Sequence, residues 1–511
     1  MTTSNTKKTI FMTGATGVMG TAGLQEITKR LDHFNLVVLA RPSEINKKKL
    51  APYEGKIRVV WGDLTRYEDV LDGVTGSDYV LHVGGMVSPG ADYKPKSTRR
   101  VNITAAEHII KAVLAQPADA QPRVVYIGSV AQLGPRNAPV HWGRTGDPIQ
   151  ISIYDHYAIS KTVAERMFVE SGIKHWVSLR QSGILYPAIL RNYDPIMFHV
   201  PIQGVLEWAT IEDSGRVLAN VCEDSVPEDF WNHFYNIGSG DAYRLSNYEF
   251  ESLLLDTISC PKPEKIFDTN WFVLKNFHGH WYEDSDVLEN YLHFRANTPI
   301  RDYFDKMGQS VPKIYKLAKI CPAIFIKQAM KKLAFAPRFG TQNWIETNDV
   351  NSITSYYGSI EAYRSIPDWA HFDVSHPSEK PVFLDHGYDE SKDVDTLSDE
   401  ELNKAAAFRG GKYLGDDTWQ DANGNTFKAG RRLILLGGHW SPFDMPCPYD
   451  EQTIKKMNAQ LSTFNFQLST IPWHWDEVAK ENPFFAQLWT PLHDADEDNI
   501  YGPEIFEGWE K

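Results

Sequence analysis

Cysteine is scarce in this chain. The four cysteines among its 511 residues are Cys222, Cys260, Cys321 and Cys447. They lie far apart and form neither a disulfide framework nor the Cys-x-x-Cys pairs of a structural zinc site. A reducing environment fits such a chain best, so we predict a cytoplasmic protein.

Long apolar runs and an excess of basic residues are also lacking. No uninterrupted hydrophobic stretch is long enough to span a bilayer, and the amino terminus has no signal-peptide pattern. Acidic residues outnumber basic ones by 66 to 52, which gives a formal net charge of -14. That balance argues against a dedicated nucleic-acid binder. We therefore predict no nucleic-acid partner and no integral membrane segment.

Length and aromatic residues are what the chain has in abundance. With 511 residues it is too long for one ordinary domain, so about two or three domains are expected. It contains 15 tryptophans, and much of the aromatic content falls in the second half. We interpret these rings mainly as core and interface packing, with an aromatic-lined substrate cleft as the alternative.

A glycine-rich turn lies near the amino terminus. Residues 8–13 predict a buried strand, and the sequence GATGVMG at 14–20 opens a predicted helix. A dinucleotide fingerprint requires this context, because glycines let the backbone approach a pyrophosphate at a helix amino terminus. A simple tight turn is the alternative. The predicted cofactor-binding residues here are Gly14, Ala15, Thr16, Gly17, Val18, Met19 and Gly20.

The end of the second predicted strand bears on cofactor choice. Residues 36–40 form this strand, and Arg41 follows it where a carboxylate would hold the ribose hydroxyls of NAD. An arginine can instead pair with the 2′-phosphate of NADP. We therefore predict NADP, with NAD possible and with a solvated surface role for Arg41 as the alternative.

Two further strands end in residues that could contact a cofactor. Residues 57–61 lead into Asp63, which is placed to accept from an adenine amino group or to cap the next helix. Residues 79–85 predict a fourth strand whose glycines allow close approach of a ligand. We interpret His82 in this strand as a core histidine rather than a catalytic one.

A serine closes the fifth predicted strand. Residues 122–129 form that strand, and Ser129 stands at its carboxyl end. Ligands bind at this edge of an open α/β sheet, so Ser129 is a candidate functional residue. Asn102 stands at the predicted start of the preceding helix, and a sixth strand at 176–180 leads into Tyr186.

Tyr157 and Lys161 are four residues apart on a predicted helix. That spacing places both side chains on one face, where the ammonium could lower the phenol pKa from its usual value of about 10. A tyrosine with a lowered pKa can act as a general acid or base. Such a pair is common by chance, but its position after the glycine-rich turn and Ser129 indicates a catalytic pair.

Eight motifs follow one another along the first half of the chain. They are TGATGVMG at 13–20, GDL at 62–64, HVGG at 82–85, VNITAA at 101–106, YIGS at 126–129, YAISK at 157–161, RQSGILYP at 180–187 and YNIGSG at 235–240. In this order they resemble the extended short-chain dehydrogenase/reductase superfamily, which also contains sugar-nucleotide epimerases and dehydratases. Residues 291–304 resemble the helical ending of such domains, so the resemblance covers residues 1–310.

The resemblance implies an α/β fold with a Rossmann-type, doubly wound parallel sheet. Within residues 1–310, residues 1–187 would mainly bind NAD(P), and residues 188–310 would mainly form a small substrate lobe. Residues 311–511 extend beyond such a domain, and we expect a mixed α+β C-terminal extension there.

The resemblance also implies roles for individual residues. Tyr157 would transfer the proton, Lys161 would tune its pKa and hold the nicotinamide ribose, and Ser129 would hold the substrate oxygen. The further cofactor-binding residues that it implies, beside those of the glycine-rich turn, are Arg41, Asp63, Leu64, Val83, Gly84, Gly85, Asn102 and Tyr186.

Two motifs depart from the usual pattern of the superfamily. HVGG stands where His-x-Ala-Ala is usual, and GSVAQLG at 128–134 replaces the commoner Ser-Ser-x-x-x-Tyr-Gly. Leu133 therefore stands in place of a tyrosine that helps to shape many sugar-nucleotide sites. This change weakens the expectation of a sugar-nucleotide substrate.

Two stretches resemble metal sites but lack a full ligand set. Residues 277–281 contain His278 and His280 near acidic residues, but a third ligand is not defined, so we interpret them as a loop of polar and aromatic contacts. Residues 400–450 resemble a zinc ribbon without its cysteines. The residues at the expected ligand positions are Tyr413, Asp421, Ser441 and Asp444. We therefore predict a degenerate module and no metal.

A lysine-rich stretch at 313–332 surrounds a short apolar segment and contains Pro322. It could form a basic amphipathic helix for a membrane surface. We prefer a packed helix with a solvated face.

These observations predict an NADP-dependent oxidoreductase that interconverts a carbonyl and a secondary or primary alcohol. The substrate would be a small hydrophobic or aromatic molecule, a preference that depends only on the tryptophan-rich extension and on Leu133. Two alternatives stay open, namely an epimerase or dehydratase that retains NAD and a non-catalytic cofactor-binding scaffold. The intact Ser129, Tyr157 and Lys161 argue against the scaffold. A homo-oligomer is compatible with the superfamily.

Overall fold

The computed structural model describes most of the chain up to residue 435. The described residues are 7–147, 151–191, 193–312, 318–382, 388–389, 392–408, 411–420, 424, 426–428, 430–431 and 434–435. The lysine-rich stretch at 313–332 and the ribbon-like segment at 400–450 therefore fall only partly within the described residues.

Strands and helices alternate through the first 240 residues, as a doubly wound fold requires. The strands are β1 (Lys8–Thr13), β2 (Phe34–Ala40), β3 (Arg58–Trp61), β4 (Tyr79–His82), β5 (Arg123–Ser129), β6 (Trp142–Gly143), β7 (Trp176–Gln181), β8 (Ile184–Leu185), β9 (Val205–Glu207), β10 (Ala209–Thr210), β11 (His233–Ile237), β12 (Arg244–Ser246), β13 (Trp281–Tyr282), β14 (Lys412–Gly415), β15 (Thr418–Gln420) and β16 (Thr426–Lys428). The helices are α1 (Val18–Thr28), α2 (Glu44–Leu50), α3 (Tyr67–Val74), α4 (Gly90–Tyr93), α5 (Pro95–Leu114), α6 (His156–Glu170), α7 (Ile211–Asn220), α8 (Asn247–Thr257), α9 (Pro263–Ile266), α10 (Ser285–Leu292), α11 (Ile300–Gln309), α12 (Ala323–Ala334), α13 (Thr341–Glu346), α14 (Val350–Tyr357), α15 (Ile360–Arg364) and α16 (Asp399–Phe408). In the described part of the chain, no helix combines the length and the hydropathy that crossing a bilayer requires.

Seven strands form one parallel sheet in the order β3-β2-β1-β4-β5-β7-β11. The chain moves outward from β1 in one direction through β2 and β3, and in the other direction from β4 onward. A crevice for a ligand therefore opens at the carboxyl ends of β1 and β4. The prediction of a Rossmann-type, doubly wound sheet is confirmed.

Successive residues of β1 explain why helices cover both faces of the sheet. Phe11 packs into a core with residues of α3, α5 and α6. Its neighbours Ile10 and Met12 pack on the opposite face with residues of α1 and α7. Side chains alternate between the faces of a strand, so a strand that is apolar throughout is stable only when both faces are covered.

Short strands and helices beyond β7 build a smaller lobe. Its strand pairs are β8 with β10, β9 with β12, and β6 with β13. Tyr303 and Phe304 of α11 are buried in its core, and the Tyr303 hydroxyl donates to the Leu185 carbonyl at 2.9 Å. The helical ending predicted near residue 300 therefore docks onto this lobe.

Helices α12 to α15 belong to the extension and pack against the lobe. Ile326, Met330 and Leu333 of α12 pack beside Phe198 and Trp271 of the lobe. The lysines of the last turn of α12 are exposed. The preference for a packed helix with a solvated face is confirmed for α12, which begins directly after Pro322.

The last described segment contains α16 and the antiparallel strands β14, β15 and β16. The rings of Tyr413 and Trp419 are buried against each other, with centroids 4.8 Å apart. Tyr413 therefore serves in aromatic packing. The other positions compared with zinc ligands, Asp421, Ser441 and Asp444, lie outside the described residues.

Candidate active site

Three glycines of the turn between β1 and α1 have different surroundings. Gly14 has a φ of 72°, and a Cβ there would lie 2.6 Å from the Gly84 backbone. A Cβ at Gly20 would lie 1.9 Å from the Gly14 carbonyl oxygen, whereas one at Gly17 would meet nothing closer than 3.4 Å. Packing therefore requires glycine at 14 and 20, while Gly17 leaves an open approach to the helix.

The amino terminus of α1 is open for a ligand. Gly17 is its N-cap, no side chain caps it, and its first turn contains no acidic residue. Gly17 and Val18 are exposed, whereas Ala15 and Met19 are buried in the core, so backbone N–H groups dominate this surface. Such an end binds anions through its N–H groups and its dipole.

Two cations lie near this turn. Arg41 is exposed directly after β2. Lys49 of α2 donates from Nζ to the Thr16 carbonyl oxygen at 2.9 Å. The sequence does not predict this contact of Lys49, because it depends on the direction of α2 across the sheet edge.

Asp63 turns the chain after β3. Its Oδ1 accepts from the backbone N and the hydroxyl of Thr65, at 2.8 and 2.7 Å. The alternative prediction that Asp63 caps the next helix is wrong, because α3 has Arg66 at its N-cap. The adjacent Leu64 packs so closely that a Cβ on Gly84 would lie 2.8 Å from its Cδ1.

His82 is a satisfied core residue, as predicted. Its Nδ1 lies 3.0 Å from Thr13 Oγ1, and its ring packs between Tyr126 and Phe168 at centroid distances of 5.9 and 6.0 Å. Burial, together with the positive charge of Lys161, lowers the pKa of His82 to about 3. The imidazole is therefore neutral at physiological pH.

The sequence predicted that a helix begins at Asn102, and this prediction is wrong. Helix α5 begins at Pro95, whose fixed φ suits a first helical position, and Asn102 lies two turns further on. Its amide donates to Ser160 Oγ at 2.9 Å and to the Met86 carbonyl at 3.0 Å, and its Oδ1 accepts from Met86 N at 2.7 Å. Asn102 therefore joins the loop after β4 to α6.

The remaining predicted cofactor contacts lie along the same edge of the sheet. A Cβ on Gly85 would lie 2.8 Å from Asn102 Oδ1 and 3.8 Å from Lys161 Nζ. Val83 is partly buried against the α1 side of the core. Tyr186 follows β8 and is half-buried, and burial raises its pKa.

Ser129, Tyr157 and Lys161 come together at the carboxyl end of β5. The Ser129 side chain is hydrogen-bonded to Tyr157 and also accepts from Ala131 N at 3.2 Å. Lys161 Nζ donates to the Ile127 carbonyl oxygen at 2.9 Å and lies 6.0 Å from the centre of the Tyr157 ring. The three side chains thus form the compact group that the sequence predicted.

The charge states of this group differ from the prediction. Burial raises the pKa of Tyr157 to about 12, and the hydrogen bond with Ser129 only partly offsets this rise. Burial lowers the pKa of Lys161 to about 8, opposed by the negative charge of Glu165. The expected depression of the phenol pKa is not seen in this structure, because desolvation exceeds the opposing effect of the hydrogen bond with Ser129.

Glu165 is a residue that sequence reasoning missed. It forms a fully buried ion pair with Arg180 of β7, with 2.8 Å between the charged atoms, and it accepts from Ser178. Its position four residues after Lys161 was the available signal, since that spacing puts both side chains on one face of α6. Glu165 is the nearby negative charge that favours the protonated Lys161.

The two histidines at 278 and 280 have separate surroundings. His278 Nδ1 lies 3.0 Å from Asp155 Oδ2. His280 is completely buried, and burial lowers its pKa to about 3. Asp284 accepts from Thr145 and Asn236. Within the described residues, no three His, Cys, Asp or Glu side chains are grouped to hold a metal ion.

Leu133 lies below the site and not on its surface. It is completely buried in the core on the α5 and α6 side of the sheet. Trp344 and Trp369 of the extension also pack into core clusters. The prediction of a hydrophobic substrate depended on Leu133 and on the tryptophans of the extension. The described members of this set pack into cores and do not form an apolar surface at the site.

Residues 10–180 match the model of the NAD dependent epimerase/dehydratase family. The 3 beta-hydroxysteroid dehydrogenase type 7 of Rattus norvegicus is 27% identical over 184 residues, which cover 35% of this chain and 52% of that protein. The UDP-glucose 4-epimerase of Rickettsia bellii is 28% identical over 110 residues, which cover 20% of this chain and 32% of that protein. The chain thus spans about half the length of the first of these relatives and less of the second.

A solved structure has a similar arrangement over part of the chain. It is a dTDP-glucose 4,6-dehydratase from Streptomyces venezuelae, crystallised with NAD, and it is 17% identical. The superposition has a TM-score of 0.47 and covers 59% of this chain and 95% of that protein.

Proposed function

We propose that the protein is an NADP-dependent oxidoreductase, starting from the match of residues 10–180 to the model of the NAD dependent epimerase/dehydratase family. It interconverts a carbonyl group and an alcohol on a small molecule. Residues 1–310 would form the catalytic unit and residues 311–511 its extension. The observation that carries the proposal is the hydrogen-bonded group of Ser129 and Tyr157 with Lys161 beside them, at the edge of the sheet where ligands bind.

The residues around the crevice fit a dinucleotide. The open end of α1 suits a pyrophosphate. Gly84 and Gly85 let the loop after β4 pack closely against Leu64 and Asn102, beside Lys161. When bound, a nicotinamide supplies or accepts the hydride. Lys161 would hold the adjoining ribose through its ammonium group.

Proton transfer would fall to Tyr157. Because its pKa is raised to about 12, the phenol is protonated at neutral pH and can donate to the oxygen that develops charge during carbonyl reduction. Ser129 would donate a hydrogen bond to the same oxygen. In the direction of alcohol oxidation, the phenol must first lose its proton, which the raised pKa of Tyr157 opposes at neutral pH.

Replacing Tyr157 tests this function directly. A screen of ketones, aldehydes and alcohols, followed by nicotinamide absorbance with both cofactors, should identify a substrate of the wild-type protein. Tyr157→Phe should then lower kcat by about 100-fold or more, since general acid–base catalysis contributes about that much. Tyr53→Phe, on the surface beyond α2, serves as the control. A Tyr157→Phe protein within a few-fold of wild type would contradict the proposal.

Arg41 and Lys49 carry the preference for NADP. Both cations lie near the turn, and no acidic residue follows β2 directly. Arg41→Ala should weaken NADPH binding by about tenfold, the value of one charged hydrogen bond, with little change for NADH. Isothermal titration calorimetry with both cofactors measures this. Tighter binding of NADH, unaffected by Arg41→Ala, would refute the assignment.

An epimerase or dehydratase that retains its NAD is the second candidate. The description of the matching family and the match with a UDP-glucose 4-epimerase favour it. Such an enzyme regenerates its cofactor in each cycle. Purified protein carrying tightly bound NAD, and turning over substrate without net change in nicotinamide absorbance, would decide for this candidate.

A further inference from the structure

A small cavity lies at the amino terminus of α6, just before Tyr157. Its volume is about 40 Å³, enough for one or two water-sized groups. Its walls come from the α4 region, from residues 152–155, from the loop at 276–278 and from the extension. Helices α4 and α6 are in contact, and Asp92 and Asp155 are close enough to Tyr157 to raise its pKa. The cavity therefore adjoins the catalytic group.

Two polar side chains in this cavity lack hydrogen-bond partners. Ser152 is only 3% exposed, and its Oγ makes no hydrogen bond with any described residue. Asp92 is hydrogen-bonded to Ser88, but its buried Oδ2 has no partner within the described part of the chain. Buried polar atoms are seldom left unpaired, because each costs about 1–3 kcal/mol. Both atoms therefore point to a ligand group between them.

The histidine of the cavity adds a further acceptor. His199 Nε2 lies 2.7 Å from the Phe339 carbonyl oxygen, which can only accept, so Nε2 carries the proton. Burial lowers the pKa of His199 to about 4, which leaves its Nδ1 unprotonated at neutral pH. Tyr356 of α14 covers this ring at a centroid distance of 5.6 Å. The extension thus supplies one wall of the cavity.

Three other polar side chains of the cavity, Asp155, His278 and Asn276, are already hydrogen-bonded. Asp155 Oδ1 accepts from Ala158 N and Oδ2 pairs with His278, while the Asn276 side chain bonds both backbone groups of Ile153. Among the described residues that line the cavity there is no lysine or arginine. A phosphate or carboxylate would meet acidic side chains without a compensating cation. Burial raises the pKa of Asp92 to about 8, so its carboxyl is mostly uncharged at neutral pH. An uncharged group that both donates and accepts hydrogen bonds, such as a hydroxyl, therefore suits the unpaired carboxyl and hydroxyl groups.

We propose that this cavity receives a hydroxyl group of the substrate, held by Asp92 and Ser152 and enclosed by Tyr356 of the extension. This inference rests on the proposed oxidoreductase function, which it deepens by naming a hydroxylated carbonyl compound as the substrate class. The reacting carbon would lie at Tyr157 and the second oxygen in the cavity. The extension would then take part in substrate selection.

Three matched ketones test the inference. They are cyclohexanone, 4-hydroxycyclohexanone and 4-aminocyclohexanone, which differ only in the group opposite the carbonyl. Binding to the full-length wild-type protein is measured by ligand-observed NMR, and turnover by nicotinamide absorbance. We expect the hydroxyl compound to bind about three- to tenfold more tightly than cyclohexanone, the value of about one hydrogen bond. Ser152→Ala and Asp92→Leu, which each remove the polar group, should bring this ratio close to one.

Ser355→Ala is the matched control. Ser355 is also buried with an unpaired hydroxyl among the described residues, but it does not line the cavity. It should keep the wild-type ratio. Equal binding of all three ketones, a ratio unchanged in Ser152→Ala and Asp92→Leu, or tighter binding of the amine would overturn the inference. Absence of turnover with the hydroxyl preference intact would instead count against the proposed reaction alone.

Discussion

Burial favours the neutral form of both Tyr157 and Lys161. It raises the pKa of Tyr157 to about 12 and lowers that of Lys161 to about 8. The spacing of the pair on one helix predicted that they lie close together, and they do. It could not predict their pKa values, because desolvation depends on every atom packed around the two groups.

The buried Lys161 should therefore lower the free energy of unfolding of the protein. The unfolded chain keeps this proton up to about pH 10.4, whereas folded Lys161 releases it near pH 8. Its destabilisation is thus complete below pH 8 and declines as the pH rises above that value. Lys161→Met should raise the free energy of unfolding at pH 7, on the order of 2 kcal/mol, while abolishing turnover.

Chemical denaturation of both proteins at pH 7 and at pH 9.5 measures this effect. The advantage of Lys161→Met should shrink at the higher pH. Lys48→Met, which changes an exposed lysine, should leave stability unchanged at both values. A Lys161→Met protein less stable than wild type at pH 7 would show that the contact with the Ile127 carbonyl outweighs desolvation.

At the scale of elements, the glycines in the turn between β1 and α1 have two different roles, since some are required for packing and another leaves room for a ligand. Gly14 and Gly20 are needed because the turn, α1 and the loop after β4 approach one another closely. Neither of these close approaches requires a glycine at position 17. The motif predicted all three glycines together, but only the packed structure distinguishes their roles.

Alanine substitutions should separate these roles. Gly20→Ala places a Cβ against the Gly14 carbonyl and should lower the free energy of unfolding by about 2–4 kcal/mol. Gly17→Ala has room for its methyl group and should change stability by about 1 kcal/mol at most, while weakening NADPH binding. Denaturation and calorimetry give the two quantities. Equal loss of stability in both variants would refute the distinction.

Other elements were predictable to different degrees. The strands of the parallel sheet are short apolar segments with clear ends, so their positions followed from the sequence. The start of α5 did not, because Pro95 begins the helix before any apolar periodicity is visible. The alternative role of Asp63 as a helix cap was also wrong, since a hydrogen bond to Thr65 two residues away competes with a helix cap.

At the scale of the whole molecule, the extension is attached to the lobe by a segment around His376. This side chain lies between Glu249 of α8 and Glu379, and its ring stacks on Trp281 at 5.2 Å. The neighbouring Ser378 carbonyl accepts from the rings of His141 and Trp142. The segment at 375–380 therefore holds the extension against β6 and β13.

This attachment should weaken as the pH rises. Burial by itself would lower the pKa of His376, but the hydrogen bonds with Glu379 and Glu249 raise it above its ordinary value. Its stabilising effect is thus present at pH 6 and lost as the pH passes through the raised pKa. Hydrogen exchange in residues 369–380, corrected for intrinsic rates, should be faster at pH 8.5 than at pH 6.

His376→Gln should remove this pH dependence. His371→Gln is the control, because His371 contacts only the neighbouring Asp368 in the same exposed segment. It should retain the wild-type difference between the two pH values. Exchange that is independent of pH in the wild-type protein would refute the role assigned to His376.

The sequence by itself determined the parallel sheet, the glycine-rich turn and the approach of Ser129, Tyr157 and Lys161. The strands, the turn and the pair of Tyr157 and Lys161 follow from apolar periodicity and from spacings of a few residues, which act locally. The approach of Ser129 to that pair follows from its place at a strand end and from the order of the motifs. Tertiary structure alone decided the charge states of the site and the cavity in which Asp92 meets Tyr356 of the extension. Burial and contacts between residues more than 200 positions apart depend on the packing of the whole chain, so no local pattern records them.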